Sequence, residues 1–216
     1  MQPIISVVGK SDSGKTTMLA GLIGELKQRG YKMAVIKHSS EEFELDIASK
    51  DTWRFSQAGS EVSAISSGHK LAIFRKLPQD LTVKELARFM GQDYDLILTE
   101  GFKQSKNYKI EVHRKEQGAG LLSPQQQLLA VVTDEPLDVT VPQFTREEIP
   151  GLSDLIETWM LDQRRQDDVE LIVNDTFVPV NPFTKNMLAS TIAGMASALK
   201  GVQKVTSLQF SLRRKK

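Results

Sequence analysis

Apolar residues recur along this chain with two periods, and the switches between them mark out its elements. Residues 4–8 (IISVV) form a short run rich in β-branched side chains, as in a buried strand. A turn rich in glycine and serine follows. Beyond it Met18, Leu19, Leu22, Ile23 and Leu26 fall at helical spacing, and Gly30 closes that helix. Residues 32–38 (KMAVIKH) read as a second strand, followed by a polar loop. Asp51 is the expected N-cap of a helix running to Ala58, with Gly59 at its end. EVSAIS and KLAIF predict two strands joined at Ser67-Gly68-His69, and Thr82 is the expected cap of a helix over 83–90 that Gly91 ends. Strands over 94–102 (YDLILTEGF), 108–114 (YKIEVHR) and 128–134 (LLAVVTD) complete the set, before a helix beginning at Ser153. Strands alternating with helices predict an α/β fold with a mainly parallel sheet flanked by helices.

The pattern breaks at residues 162–168 (DQRRQDD), which carry no apolar anchor and read as a linker. Beyond them VELIVNDTFVPV predicts a hairpin turning at Asn174-Asp175. NMLASTIAGMASALKG predicts a helix rich in small residues, and SLQFSL alternates like a strand. The expectation is a main domain over residues 1–162 and a small C-terminal ββαβ extension over 169–216. That extension is too small to bury much surface alone, so it needs a surface to pack on.

Composition narrows the function classes. Charged residues make up 25% of the chain and the net charge is +1, so no nucleic-acid footprint is expected. The terminal Arg213-Arg214-Lys215-Lys216 reads as a solvated end. Absence of cysteine excludes disulfides, thiolate catalysis and cysteine-ligated metal sites. No apolar run approaches the ~20 residues that span a bilayer, and no basic leader precedes the first strand, so a soluble, cytoplasmic protein without membrane partners is expected.

The turn after the first strand carries the chemistry. Residues 9–16 (GKSDSGKT) fit G-x-x-x-x-G-K-[ST], a phosphate loop. Backbone N–H groups of such a turn, with the positive end of the following helix, make an anion cradle. Gly9 and Gly14 leave room for the chain to curl, Lys15 reaches the β- and γ-phosphates, and the Thr16 hydroxyl ligates Mg²⁺. The chain is therefore read as binding a nucleoside triphosphate. Lys10 resembles the extra lysine of ATPases of the ParA and MinD group. That group wants glycines where this chain has Ser11 and Asp12, so Lys10 is read as a solvated loop residue. A metal-holding carboxylate is expected at the end of a second strand. Glu100 in LILTEG is placed for it, with Asp134 in VVTD as a competitor that equally suits a turn cap or a base contact. The three scattered histidines, His38, His69 and His113, make no metal-ligand spacing.

Taken together, GKSDSGKTTML, VIKH, FELDIASKDTWRFSQAGS, LTEGFK and KIEVHR, in this order and spacing, resemble the molybdopterin-guanine dinucleotide biosynthesis adapter family (MobB) over roughly residues 3 to 160. The resemblance implies a P-loop nucleoside triphosphate hydrolase fold and a GTP-binding protein, usually dimeric, with weak GTPase activity. It implies help to the guanylyltransferase that joins GMP to molybdopterin. By the same resemblance Gly9, Ser11, Asp12, Ser13, Gly14, Lys15, Thr16 and Thr17 bind phosphates and metal, with Lys15 and Glu100 as the catalytic pair. Thr16 and Glu100 hold Mg²⁺, and Glu100 with Gly101 forms the acidic strand end. Lys37, His38, Asp46, Asp51 and Arg54 line the same mouth. No N-K-x-D motif reads guanine here, so GTP over ATP rests on the resemblance. The rival readings are a small-molecule kinase and a ParA-like or MinD-like ATPase switch. A kinase usually adds an arginine-bearing lid, whereas residues 54–75 read as regular helix and strand.

Overall fold

The computed structural model describes residues 2–39, 50–91, 93–118, 120–163, 169, 171–174, 176–202, 205 and 208. Two compact units emerge, residues 2–156 and 157–216. Asp46, the strand expected over SLQFSL (but for Leu208) and the terminal basic cluster lie outside the described residues.

In the first unit β1 (Ile4–Gly9) leads into α1 (Lys15–Gln28), then β2 (Met33–Lys37) and α2 (Asp51–Gln57). The hairpin β3 (Val62–Ser67) and β4 (Lys70–Arg75) follows, then α3 (Val83–Met90) and β5 (Leu96–Glu100). β6 (Tyr108–Val112), β7 (Leu128–Val132), β8 (Gln143–Phe144) and the first part of α4 (Ile149–Gln163), up to residue 156, complete the series. Six strands form one sheet in the order β2-β5-β1-β6-β7-β8, with every neighbouring pair parallel. The α/β expectation with a parallel sheet holds.

A parallel sheet is covered on both faces, which is why its central strands are apolar throughout rather than alternating. All six residues of β1 are buried, as are the first four of β5. Met18, Leu19, Leu22 and Leu26 of α1 and Leu152 and Ile156 of α4 belong to the same core. Since the strands run one way, Gly9, Glu100, Val112, Val132 and Phe144 end at a common edge, the edge where open α/β sheets bind ligands.

β6 departs from the apolar rule. Lys109 and Glu111 alternate with Ile110 and Val112, yet all four are buried. The Lys109 ammonium donates to Ser105 O at 2.5 Å, Asn107 O at 3.3 Å and Gln127 Oε1 at 2.5 Å, while Glu111 accepts from the N–H groups of Leu122 at 2.5 Å and Ser123 at 2.9 Å. A strand that reads as half solvated is instead a buried post to which the neighbouring loops are tied.

The expected hairpin turn at Ser67-Gly68-His69 is present, and so is the Thr82 cap. Thr82 Oγ1 accepts from Glu85 N at 3.3 Å, completing a capping box, and the Glu85 carboxylate accepts from Thr82 Oγ1 at 2.7 Å and from Thr82 N at 2.8 Å, bonds that hold it below its usual range. Other boundaries are corrected. Asp51 is the first residue of α2 and Lys50 its N-cap, so Asp51 sits in the first turn, where its charge suits the helix dipole. α4 begins at Ile149, four residues before Ser153, because Pro150 lies in the first turn, where its missing N–H is not needed. The two-residue edge strand β8 is too short to carry a periodic signal.

The second unit contains β9 (Leu171–Val173), paired antiparallel with β10 (Thr176–Val178), and α5 (Pro182–Ser197). Asn174 turns the hairpin at φ 50°, as expected. α5 starts earlier than its apolar pattern, at Pro182, because Asn181 Oδ1 caps Thr184 N at 2.9 Å.

Candidate functional site

The phosphate loop stands where β1 ends at the common sheet edge. Gly9 (φ 152°) and Gly14 (φ 86°) hold the two bends that frame it, and a Cβ on Gly9 would lie 2.5 Å from Val112 O. Asp12 takes the left-handed region at φ 58°, and Ser13 N donates to Lys10 O at 3.4 Å, so the loop curls over its own backbone. Helix α1 starts at Lys15 with no side-chain cap, which leaves its first N–H groups available to an anion.

Lys15 lies folded along the loop, its Nζ 2.5 Å from Lys10 O. Burial pushes its ammonium below the usual lysine range, opposed by nearby Glu100 and reinforced by Lys103. A cation loosely paired in this way is available to a phosphate. Thr16 Oγ1 donates to both oxygens of Glu100, at 3.1 and 3.0 Å, and Lys37 Nζ is 3.9 Å from Glu100 Oε1. β5 delivers that carboxylate because Glu100 pairs in register with Val7, two residues before Gly9. Hydroxyl and carboxylate are hard oxygen donors, the set a Mg²⁺ ion takes when phosphate and water complete its octahedron. Among the described residues no group of three acidic or histidine side chains stands ready to hold a metal by itself. The donor set therefore fits an ion that arrives with the nucleotide.

Gly101 (φ 97°) and Phe102 (φ 54°) turn the chain sharply after Glu100. Gly101 N donates to Val7 O at 3.0 Å, and a Cβ there would come within 3.3 Å of His38 Cβ. His38 continues β2 through a bond from its N–H to Glu100 O at 3.0 Å, and its ring meets Phe102 at 4.6 Å. Of the sequence-named residues the structure thus gathers Lys15, Thr16, Lys37, His38, Glu100 and Gly101. Thr17 follows in the first turn of α1. Asp51 and Arg54 lie on α2, and among the described residues neither makes a hydrogen bond or ion pair with the loop.

Two features were not legible beforehand, and a third decides between alternatives the sequence left open. Lys10 is not a free loop residue, since its ammonium donates to Gln117 O, while Gln117 Nε2 donates to Ser11 O at 2.5 Å. The segment after β6 is thereby latched onto the first half of the loop. Asp134 is a turn cap: it accepts from Lys115 N at 3.0 Å and lies 3.6 Å from Arg114 Nη1. Arg114 Nε and Arg146 Nη2 each donate to Ser13 O at 3.0 Å. Beside them Ser13 Oγ and Arg114 Nη2 are buried with no hydrogen-bond partner among the described residues. KIEVHR contained Arg114, but no spacing rule ties it or Arg146 to residue 13. His113 is buried, with Nε2 3.2 Å from Glu135 Oε1.

Comparison with known proteins agrees with this geometry. Residues 4–134 match the family model described as molybdopterin guanine dinucleotide synthesis protein B. The chain is similar to the molybdopterin-guanine dinucleotide biosynthesis adapter protein of Haemophilus influenzae, 36% identical over 73% of this chain and 89% of that one. Its Escherichia coli counterpart is 32% identical over 76% and 96%. A putative adapter from Methanocaldococcus jannaschii, 26% identical, covers 97% of both chains and so extends along the second unit. Among solved structures, a crystal structure of molybdopterin-guanine biosynthesis protein B aligns at TM-score 0.55 and 28% identity, covering 72% of this chain and 99% of that one. Bacillus subtilis MobB aligns at 0.57 and 25%, covering 72% and 96%.

Proposed function

The chain belongs to the MobB family, and from that premise we propose that it is a GTP-binding adapter of molybdopterin-guanine dinucleotide biosynthesis. The observation that carries the nucleotide reading is the Thr16–Glu100 pair at the mouth of a glycine-framed loop, beside Lys15. In this reading the amides of residues 11–17 and the Lys15 ammonium take the β- and γ-phosphates. Thr16 and Glu100 hold a Mg²⁺ ion, which when bound draws charge from the phosphoryl oxygens. Lys37, His38 and Gly101 border the γ-phosphate end, and Asp51 and Arg54 of α2 are further candidates to meet the nucleotide. Hydrolysis is slow in this reading, as the family resemblance implies, and Glu100 serves the metal.

The partner in this reading is the guanylyltransferase that attaches GMP to molybdopterin, in the cytoplasm. The working form is a homodimer. One face of the β3–β4 hairpin supports it: Val62, Ala64, Leu71 and Ile73 share that face by register and all are exposed, Leu71 at 65%. A lone two-stranded hairpin is marginal in water, and an apolar face of this kind is satisfied by a second copy. Residues 1–162 act as the nucleotide-binding domain and 169–216 as an extension.

Calorimetric titration of the nucleotide-free protein with non-hydrolysable GTP and ATP analogues, with and without Mg²⁺, tests the reading. Mg²⁺-dependent binding with preference for the guanine analogue is expected. Preference for the adenine analogue overturns the base assignment, and no binding of either overturns the phosphate loop.

A further inference from the structure

The two arginines on Ser13 O come from distant parts of the chain. Arg114 follows β6 and Arg146 follows β8, yet their guanidinium groups converge on one carbonyl of the phosphate loop, at 3.0 Å each. Arg114 is itself fixed from behind by Asp134, which also holds Lys115 N. Its side chain is only 11% exposed, so its position is set by packing as well as charge. Arg146 is surface-facing, and its Nη2 occupies the space a Cβ on residue 14 would need, 2.5 Å away. Gly14 is required by its φ of 86°, and the end of the flexible Arg146 side chain lies over it.

A trans peptide points its C=O and N–H in opposite directions, and no cis peptide occurs among the described residues. The bond that carries Ser13 C=O also carries Gly14 N–H. Two charge-assisted donors on the oxygen side therefore fix the orientation of the amide on the other side. Gly14 N–H belongs to the run of amides that makes the anion cradle, and a cradle works when its dipoles are oriented before the ligand arrives.

We propose that Arg114 and Arg146 are positioning residues for nucleotide binding: together they clamp the Ser13 carbonyl and so turn the Gly14 amide toward the bound phosphate. The proposal rests on the phosphate-loop reading above and adds to it the residues that set the loop's shape. Arg146 is the adjustable half of the clamp, being exposed and attached after the edge strand. Arg114 is the fixed half, locked by Asp134.

The test uses the full chain, ¹⁵N-labelled, as wild type, Arg146→Ala, Arg146→Lys and Arg114→Lys. Affinity for the Mg²⁺-bound non-hydrolysable GTP analogue is read by calorimetry, and the Gly14 amide proton shift of the bound state by NMR. For Arg146→Ala we expect affinity to fall by about tenfold to a hundredfold, the size of effect a slightly misplaced polar group produces. Its Gly14 amide moves upfield as the bond to phosphate lengthens, while the melting temperature of the free protein stays near wild type. Arg146→Lys and Arg114→Lys fall between, since an ammonium cannot reproduce the planar donor geometry. Wild-type affinity and an unmoved Gly14 amide in both Arg146→Ala and Arg114→Lys overturn the proposal while leaving the phosphate loop standing. Weaker binding with an unmoved amide overturns it as well, because the arginine then acts only as a distant charge. Failure of the wild type to bind overturns the phosphate-loop reading and the proposal with it.

Discussion

The phosphate-loop edge of the sheet and the β3–β4 hairpin belong to the same unit but are held together in opposite ways. At the sheet edge several polar groups are tied to residues far along the chain: Thr16 to Glu100, Lys10 to Gln117, Ser13 to Arg114 and Arg146. The strands beneath it are buried without exception at β1. In the hairpin the strands pair with each other, Ser63 alone is buried, and one face turns Val62, Leu71 and Ile73 outward. It is linked to the rest through α2, where Ser56 Oγ meets Ser63 Oγ at 3.2 Å, and through α3, where the Arg75 guanidinium lies 5.7 Å from the Phe89 ring centre. The difference separates two kinds of structure. One is an edge cross-tied within a single chain; the other presents an exposed apolar face.

The largest expected effect lies at the loop. Lys15→Ala removes a cation that touches the loop backbone and lies near Glu100, and triphosphate affinity should drop by about a hundredfold, the worth of one or two charge-assisted hydrogen bonds. Calorimetry reads the loss, and an unchanged far-ultraviolet circular dichroism spectrum shows the fold intact. Undiminished affinity would remove Lys15 from the site.

The hairpin is broken by Leu71→Asp together with Ile73→Asp. Each apolar side chain covered by a second copy is worth about 1.5–3 kcal/mol, so the pair should raise a dimer dissociation constant by roughly a hundredfold or more. Light scattering at micromolar concentration should show a dimer for wild type and a monomer for the variant, with nucleotide affinity unchanged. A wild-type monomer contradicts the second-copy reading.

Glu100→Gln sharpens the division of labour at the sheet edge. The neutral amide still accepts from Thr16 but gives a metal less charge, so binding should persist while hydrolysis slows roughly tenfold. Equal turnover would move the metal role to another residue.

The smallest effect is a pH profile. Burial holds Lys15 below its usual value of 10.5, and phosphate attracts only the charged form. Affinity should be full below that depressed pKa and fall as the pH rises through it. Folding shows the opposite sign. The unfolded chain keeps the Lys15 proton up to 10.5 and the folded chain gives it up earlier, so nucleotide-free protein gains stability with pH across the window between the two values. Lys109, also lowered by burial, adds in the same direction. A flat affinity profile up to pH 10.5 would mean that Lys15 is not the phosphate's partner.

Local chemistry was legible in the sequence. Residues 9–16 announce a phosphate loop, because the tight curl needs glycines at set positions and the ligand needs lysine and a hydroxyl just after. Thr82 announced its helix because its capping box is complete within four residues. Glu100 was legible because a carboxylate that follows a buried run must sit at a strand's end.

Other features belong to the tertiary structure alone. β6 alternates as a half-solvated strand does, and only its neighbours reveal that Lys109 and Glu111 are buried and tie down flanking loops. Lys10 reads as a solvated side chain until Gln117 is brought to it. Arg114 and Arg146 lie 101 and 133 positions from Ser13, and no periodicity in one dimension encodes a meeting of that kind. A short motif specifies which atoms a ligand needs, since those requirements act within one turn of chain. The orientation of its backbone was decided by the parallel strand order, which brings the ends of β1, β6 and β8 to one edge and makes distant arginines neighbours of a single carbonyl.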